Sequence, residues 1–240
     1  MADWWQTWLE PPAARRVGWV DVSRPSLWIC VVSILFNPTF WNVVAQHEYR
    51  HKTITRILGG RRYLGCYMLA ATIFTLGIVR DHLYQLALLE QPVHPTLLHP
   101  AVRVAAVLLF AVGTVLVVSS MWALGVTGTY LGDYFGILMD AMVTGFPFNV
   151  LSDPMYVGST LNFVAVALWF ARPAGLVLSA LVWLTYRVAL CFEGPFTARI
   201  YREAAEKKAA AAKKAAERKA AATPSRAPYA TRSQTRKRAL

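Results

Sequence analysis

Cysteine is nearly missing from this sequence: Cys30, Cys66 and Cys191 are the only three in 240 residues, each inside an apolar run and none in CxxC spacing. That excludes a disulfide framework and a zinc site of the finger or ribbon kind. Charge is short as well. Asp, Glu, Lys and Arg make up 16% of the chain, against about 25% in an ordinary soluble domain. Acidic residues are the scarcer sign, 13 against 25 Lys/Arg, and residues 199–240 hold 13 of the basic residues with only 3 of the acids. The net charge of +12 therefore belongs to a tail on a nearly neutral body. A basic tail on an apolar body suits a membrane protein better than a DNA reader, and no nucleic-acid partner is expected. Enzyme templates are missing too: no P-loop, HExxH, GxSxG or strand–glycine–helix unit is present. His47, Glu48 and His51 lack a further ligand nearby, so no metal site is expected.

Apolar residues are plentiful, at 56% of the chain, and mean hydropathy is +0.37. Their runs are long enough to cross hydrocarbon, which needs about 20 residues of helix. Residues 104–124 form 21 positions without a formal charge, and 63–79 are fenced by Arg61, Arg62 and Arg80. Both read as spanning helices. Residues 26–45 are interrupted by Asn37-Pro38, which leaves a kinked span or a re-entrant segment open. Residues 154–192 are too long for one crossing, and Arg172-Pro173 divides them into the two arms of a helical hairpin. The expected fold is an all-α integral membrane protein with about five membrane helices. Ahead of it, residues 1–25 carry Trp4, Trp5, Trp8 and Trp19 among charges and prolines, the character of an interfacial segment and not of a secretory signal. Behind residue 202, the Ala/Lys-rich stretch to 222 predicts a solvated helix, and 225–240 a disordered basic end. Positive charge then orients the chain: the 46–62 loop holds Arg50, Lys52, Arg56, Arg61 and Arg62, the 127–153 loop holds no Lys or Arg, and the tail is expected in the cytosol.

That uncharged-to-acidic loop is where chemistry concentrates. Glycines at 125, 128, 132 and 136 stand among aromatics, followed by Phe146-Pro147-Phe148-Asn149 and Asp153-Pro154-Met155-Tyr156. Small residues four apart also serve helix packing, so both readings stand. Asp133, Asp140 and Asp153 would make an acidic vestibule for a cationic ligand, with Tyr130, Tyr134, Phe135 and Tyr156 offering ring faces to it. Glu193 is a lone carboxylate closing the last apolar arm. If 154–192 is a hairpin, Glu193 returns beside Asp153 and Tyr156, with Arg187 near enough to pair with it or with an anionic headgroup.

The run GVTGTYLGDYFGILMDAMVTGFPFNVLSDPMYVGST at 125–160, EGPFTARIY at 193–201 and FNPTFWNVVA at 36–45 closely resemble the eukaryotic phosphatidylethanolamine N-methyltransferases, most of all the fungal branch. The resemblance covers about residues 20–202 and makes 26–202 the membrane methyltransferase domain. It implies transfer of a methyl group from S-adenosylmethionine to the amine of phosphatidylethanolamine or its monomethyl and dimethyl derivatives. The phospholipid substrate would stay in the bilayer, and the endoplasmic reticulum membrane is the implied location, a mitochondrial membrane the second. Two cofactor motifs are implied. A Gly-x-Gly falls here on Ala111-Val112-Gly113, with only its second glycine, and a Glu-Glu pair falls on Glu193-Gly194, with only its first acid. Methyl transfer needs a held sulfonium, an aligned neutral amine and a proton acceptor, for which Asp133, Asp153 and Glu193 are the expected relay. Another integral membrane methyltransferase acting on prenylated cysteine shares the hairpin and the terminal acid but not the GTYLGDYFGI run. A noncatalytic scaffold or transporter would use the same glycines for packing and the same acids as a polar path.

Overall fold

The computed structural model describes residues 17–139 and 143–222, with side chains placed as far as 218. Trp4, Trp5, Trp8, Asp140 and the 225–240 segment lie outside the described residues. The chain divides into two compact units, Met1–Ala198 and Arg199–Leu240.

Among the described residues, six α-helices follow one another: α1 Pro25–His51, α2 Thr53–Ile57, α3 Arg62–Glu90, α4 Pro100–Thr129, α5 Pro154–Trp169 and α6 Pro173–Ala222. Short 3-10 turns occupy Pro95–Leu98 and Gly132–Phe135. Proline opens α1, α4 and α5 at a position where its missing N–H costs nothing. Among the described residues, four helices are long and apolar enough to cross a membrane, and α5, at 16 residues, is a shorter apolar one. At about 1.5 Å per residue, α5 spans less than a bilayer core. Large apolar side chains cover the outside of the bundle, among them Trp28, Val32, Phe74, Leu108, Leu184 and Trp122, the last 89% exposed. So wide an apolar surface fits hydrocarbon as its solvent.

The interrupted segment at 26–45 resolves as a single 27-residue helix that continues through Pro38. Asn37 is buried there and donates to the Leu76 carbonyl on α3 at 3.1 Å, which accommodates its amide inside the bundle. The hairpin divided at Arg172-Pro173 is present, its turn made by Ala171 at φ 53° and closed by Arg172 N–H to the Ala167 carbonyl at 3.0 Å. Arg80 corrects the sequence reading: it does not fence a helix that ends at 79 but sits buried inside α3, paired with Asp81 and the Tyr186 hydroxyl. The last arm likewise does not stop at Glu193, because α6 passes through Pro195.

The core joins α1, α3, α5 and α6 through Leu27, Cys30, Ile34, Tyr84, Leu88, Phe163, Leu178 and Val182. Tyr84 pins it by donating to the Phe163 carbonyl at 2.9 Å and lying 3.2 Å from Ser179 Oγ. Helix α4 packs along α5 at a point where both backbones are bare. A Cβ added at Gly113 would meet the Gly158 carbonyl oxygen at 2.6 Å and collide with Asn162 Oδ1. Gly113→Ala should therefore destabilise the bundle by about 1–3 kcal/mol, as overpacking does, read as a lower melting temperature in detergent. An unchanged melt would show that the crossing is not this tight.

Candidate functional site

Two features bring distant stretches to one end of the bundle. Gly125, at φ 63° and ψ −178°, breaks α4 in a conformation suited to glycine, so the chain turns before Gly132–Phe135. Leu131 and Gly136, both left-handed, bracket that turn. The turn then docks on α6, where Tyr134 stacks on Phe196 with centroids 4.9 Å apart, and Tyr49 of α1 meets Phe196 edge-on at 5.2 Å. Two cations tie it to the basic corner after α1: Lys52 Nζ donates to the Tyr134 carbonyl at 3.1 Å and Arg62 Nη1 to the Gly136 carbonyl at 3.1 Å. Burial pushes the Lys52 ammonium below its ordinary value, and the Glu48 charge draws it part of the way back. Glu48 itself is fully buried and caps the start of α2, accepting from the Ile54 N–H at 2.7 Å and the Thr55 N–H at 3.2 Å.

Glu193 stands at the centre of this end. Its Oε1 accepts from Trp41 Nε1–H at 2.7 Å and Asn42 Nδ2–H at 2.8 Å, and its Oε2 accepts from the Tyr156 hydroxyl at 2.6 Å. Four residues on, and so on the same face of α6, the Thr197 hydroxyl donates to Asp133 Oδ2 at 3.1 Å. The Tyr134 N–H meets Asp133 Oδ1 at 3.1 Å. The Glu193 charge reaches Asp133, and that of Asp153, three residues before Tyr156 at the start of α5, reaches the Tyr156 hydroxyl. Among the described residues, every hydrogen-bond donor to Glu193 and Asp133 is neutral, and no Lys or Arg forms a salt bridge with either. Asn42 Oδ1, on the same amide that holds Glu193, is buried without a hydrogen-bond partner.

Of the residues expected from sequence, the structure thus gathers Asp133, Asp153, Tyr134, Tyr156 and Glu193. Tyr134 is buried and stacks on Phe196, while Tyr156 is partly buried and turns its hydroxyl to Glu193. Tyr130 ends α4 and its carbonyl accepts from Cys66 Sγ at 3.7 Å. Arg187 does not pair with Glu193; it is exposed and lies over the Trp183 ring at 5.7 Å. Ala111 and Val112 face outward, and Gly113 meets α5 at Gly158. Two residues along a helix is about 200° around it, so Gly113 approaches α5 from the side away from Tyr156. Gly194 is exposed with open space where a side chain would stand.

The sequence pattern of the family described as phospholipid methyltransferase matches residues 102–204. Over 199 residues the chain is 55% identical to the phosphatidyl-N-methylethanolamine N-methyltransferase of Neurospora crassa, covering 83% of this chain and 93% of that relative. This chain belongs to the phospholipid methyltransferase family. The enzyme of the same name from Emericella nidulans is 59% identical over 191 residues, covering 80% of this chain and 93% of the relative. The phosphatidylethanolamine N-methyltransferase of Homo sapiens is 49% identical over 191 residues, covering 80% and 96%. No solved structure matches.

The segment carrying the phospholipid methyltransferase pattern contains Asp133, Tyr156, Glu193 and Thr197 but not Trp41 or Asn42. Sequence reasoning passed over those two as site residues. Their signal was available, since an Asn beside a Trp in an apolar helix carries polar hydrogens that membrane depth must satisfy. Thr197 was passed over as well, although its spacing of four from Glu193 sets it on the same helical face.

Proposed function

We propose that this methyltransferase moves a methyl group from S-adenosylmethionine to the amine of phosphatidylethanolamine derivatives, chiefly the monomethyl and dimethyl forms, and so produces phosphatidylcholine. The observation that carries the reading is the pair of carboxylates, Glu193 and Asp133, held at the edge of a membrane bundle, among the described residues, by neutral donors alone. A carboxylate there is costly unless a cation balances it. Both reactants of this chemistry are cations, the sulfonium of the donor and the ammonium of the lipid.

The residues present fit the donor: Glu193 has negative charge to give, and the orphaned Asn42 Oδ1 beside it has an acceptor to give. S-adenosylmethionine, when bound, supplies an electrophilic methyl group on a cationic sulfur. Trp41, Asn42 and Tyr156 fix the Glu193 carboxylate so that its charge is already in place, which avoids reorganisation during reaction. Asp133, oriented by Thr197 and the Tyr134 N–H, attracts the lipid ammonium and takes its proton, directly or through water, because only the neutral amine is a nucleophile. Asp153 adds to the negative field at the mouth. Arg187, with its guanidinium over Trp183 on the outside of α6, suits a headgroup phosphate at the interface. The acyl chains need not leave the hydrocarbon. The basic 46–62 corner orients this end toward the cytosol, in the endoplasmic reticulum membrane or a mitochondrial one.

The test is incubation of the purified protein with methyl-labelled S-adenosylmethionine in vesicles of phosphatidylethanolamine, its monomethyl or its dimethyl derivative. Label should enter the lipid amine, fastest with the two methylated substrates. Label absent from all three lipids, or found only in a carboxyl ester of a prenylated cysteine substrate, overturns the proposal.

A further inference from the structure

Arg80 is the most unusual side chain outside the carboxylate cluster. It lies inside a helix apolar enough to cross a membrane, yet it is only 8% exposed. A buried cation at such a position is expensive, and an apolar side chain of similar length would avoid that cost. Neutralising Asp81 does not require burial, because the Asp81 side chain is itself 56% exposed. The guanidinium is held on three sides: Nε and Nη2 donate to Asp81 Oδ1 at 3.0 and 2.9 Å, Cζ lies 4.9 Å over the Phe163 ring, and Nη1 donates to the Tyr186 hydroxyl at 2.7 Å.

The last contact leads toward the site. With its oxygen accepting from Arg80, the Tyr186 hydroxyl has its proton left for Ser159 Oγ, 3.1 Å away on α5. Ser159 is one turn on from Tyr156, and the Tyr186 ring leans on the Tyr156 ring with centroids 4.8 Å apart. Tyr156 in turn delivers its hydroxyl to Glu193 Oε2 at 2.6 Å. Charge-assisted hydrogen bonds are the stiffest available for such a chain of contacts.

We propose that Arg80 is a positioning residue for the Glu193 carboxylate, acting through Tyr186 and Tyr156 to hold that acid in the pose that receives the methyl donor. The inference rests on the reading of Glu193 as a donor-binding group. Its mark is coupling between side chains that do not touch. Arg80 and Tyr156 share no hydrogen bond, so independent effects on affinity would multiply.

The experiment measures the affinity of the full-length protein, in lipid nanodiscs, for S-adenosylmethionine by calorimetry. The variants are Arg80→Met, Tyr156→Phe and the two combined, each with its melting temperature recorded. Each single change should weaken binding by about tenfold, and the double by about tenfold again only once, where independent sites would give about 100-fold. Tyr186→Phe keeps both rings and the Arg80–Asp81 pair while removing only the relaying hydroxyl. It should reproduce the loss seen in Arg80→Met, and it replaces Arg80→Met in the cycle if that variant does not fold. Multiplying losses, or unchanged affinity in folded Tyr186→Phe, overturn the role of Arg80 while leaving the methyltransferase reading in place. Wild-type protein that neither binds the donor nor labels lipid overturns that reading instead.

Discussion

Glu193→Gln should lower affinity for S-adenosylmethionine by at least about 100-fold while leaving the fold intact, and the reason both halves hold is in the hydrogen-bond pattern. The glutamine oxygen can take the place of Oε1 and accept from Trp41 and Asn42. Its amide then faces the Tyr156 hydroxyl, which can turn from donor to acceptor. Every contact survives and only the charge is lost. A unit charge about 4 Å from a cation, in an effective dielectric of about 20, attracts it by about 4 kcal/mol. Calorimetry should therefore show a much smaller loss, under about tenfold, for S-adenosylhomocysteine, whose sulfur is neutral. Equal losses for the two ligands would remove the sulfonium from the neighbourhood of Glu193.

Asp133→Asn separates the second carboxylate from the first. The same isosteric argument applies, since the Asn oxygen can accept from the Tyr134 N–H and its amide can donate to the Thr197 hydroxyl. Donor affinity should change little. Turnover of the lipid should fall by about 100-fold or more, the usual cost of losing a positioned proton acceptor. The pH profile carries the sign. Without Asp133 the amine must lose its proton to water, so the residual rate should climb about tenfold per pH unit below the pKa of the amine, near 10 for an alkylammonium group. Wild-type turnover in Asp133→Asn, or a residual rate that does not rise with pH, would assign the proton to another group.

The two acids lie 60 residues apart in the chain, and the distance between them was closed by elements that sequence pattern alone describes unequally well. Uncharged runs long enough to cross hydrocarbon are visible in any reading, because the bilayer demands about 20 apolar residues and penalises each exception. The hairpin was visible for the same reason: Arg172-Pro173 interrupts a run too long for one crossing. The end of α3 was not. Arg80 has the look of a boundary charge, and only the approach of Asp81, Phe163 and Tyr186 makes it an interior one. The two motifs at 111–113 and 193–194 differ in the same way. One glycine is occupied by a helix crossing, and one carboxylate is at the centre of the hydrogen-bonded cluster.

What the chain's order of residues determined by itself is the solvent, the number of apolar segments and the acidic, cation-free character of the 127–153 loop, since these follow from composition and run length. What only the tertiary structure decided is which acids meet and what holds them. The fourfold spacing of Glu193 and Thr197 is local, but Trp41 and Asn42, which hold Glu193, and Arg80, which meets Tyr186 of the same α6, come from helices more than 100 residues away. A hydrogen bond needs its partner within about 3 Å, and no periodicity along a single helix specifies which side chain of another helix will be there.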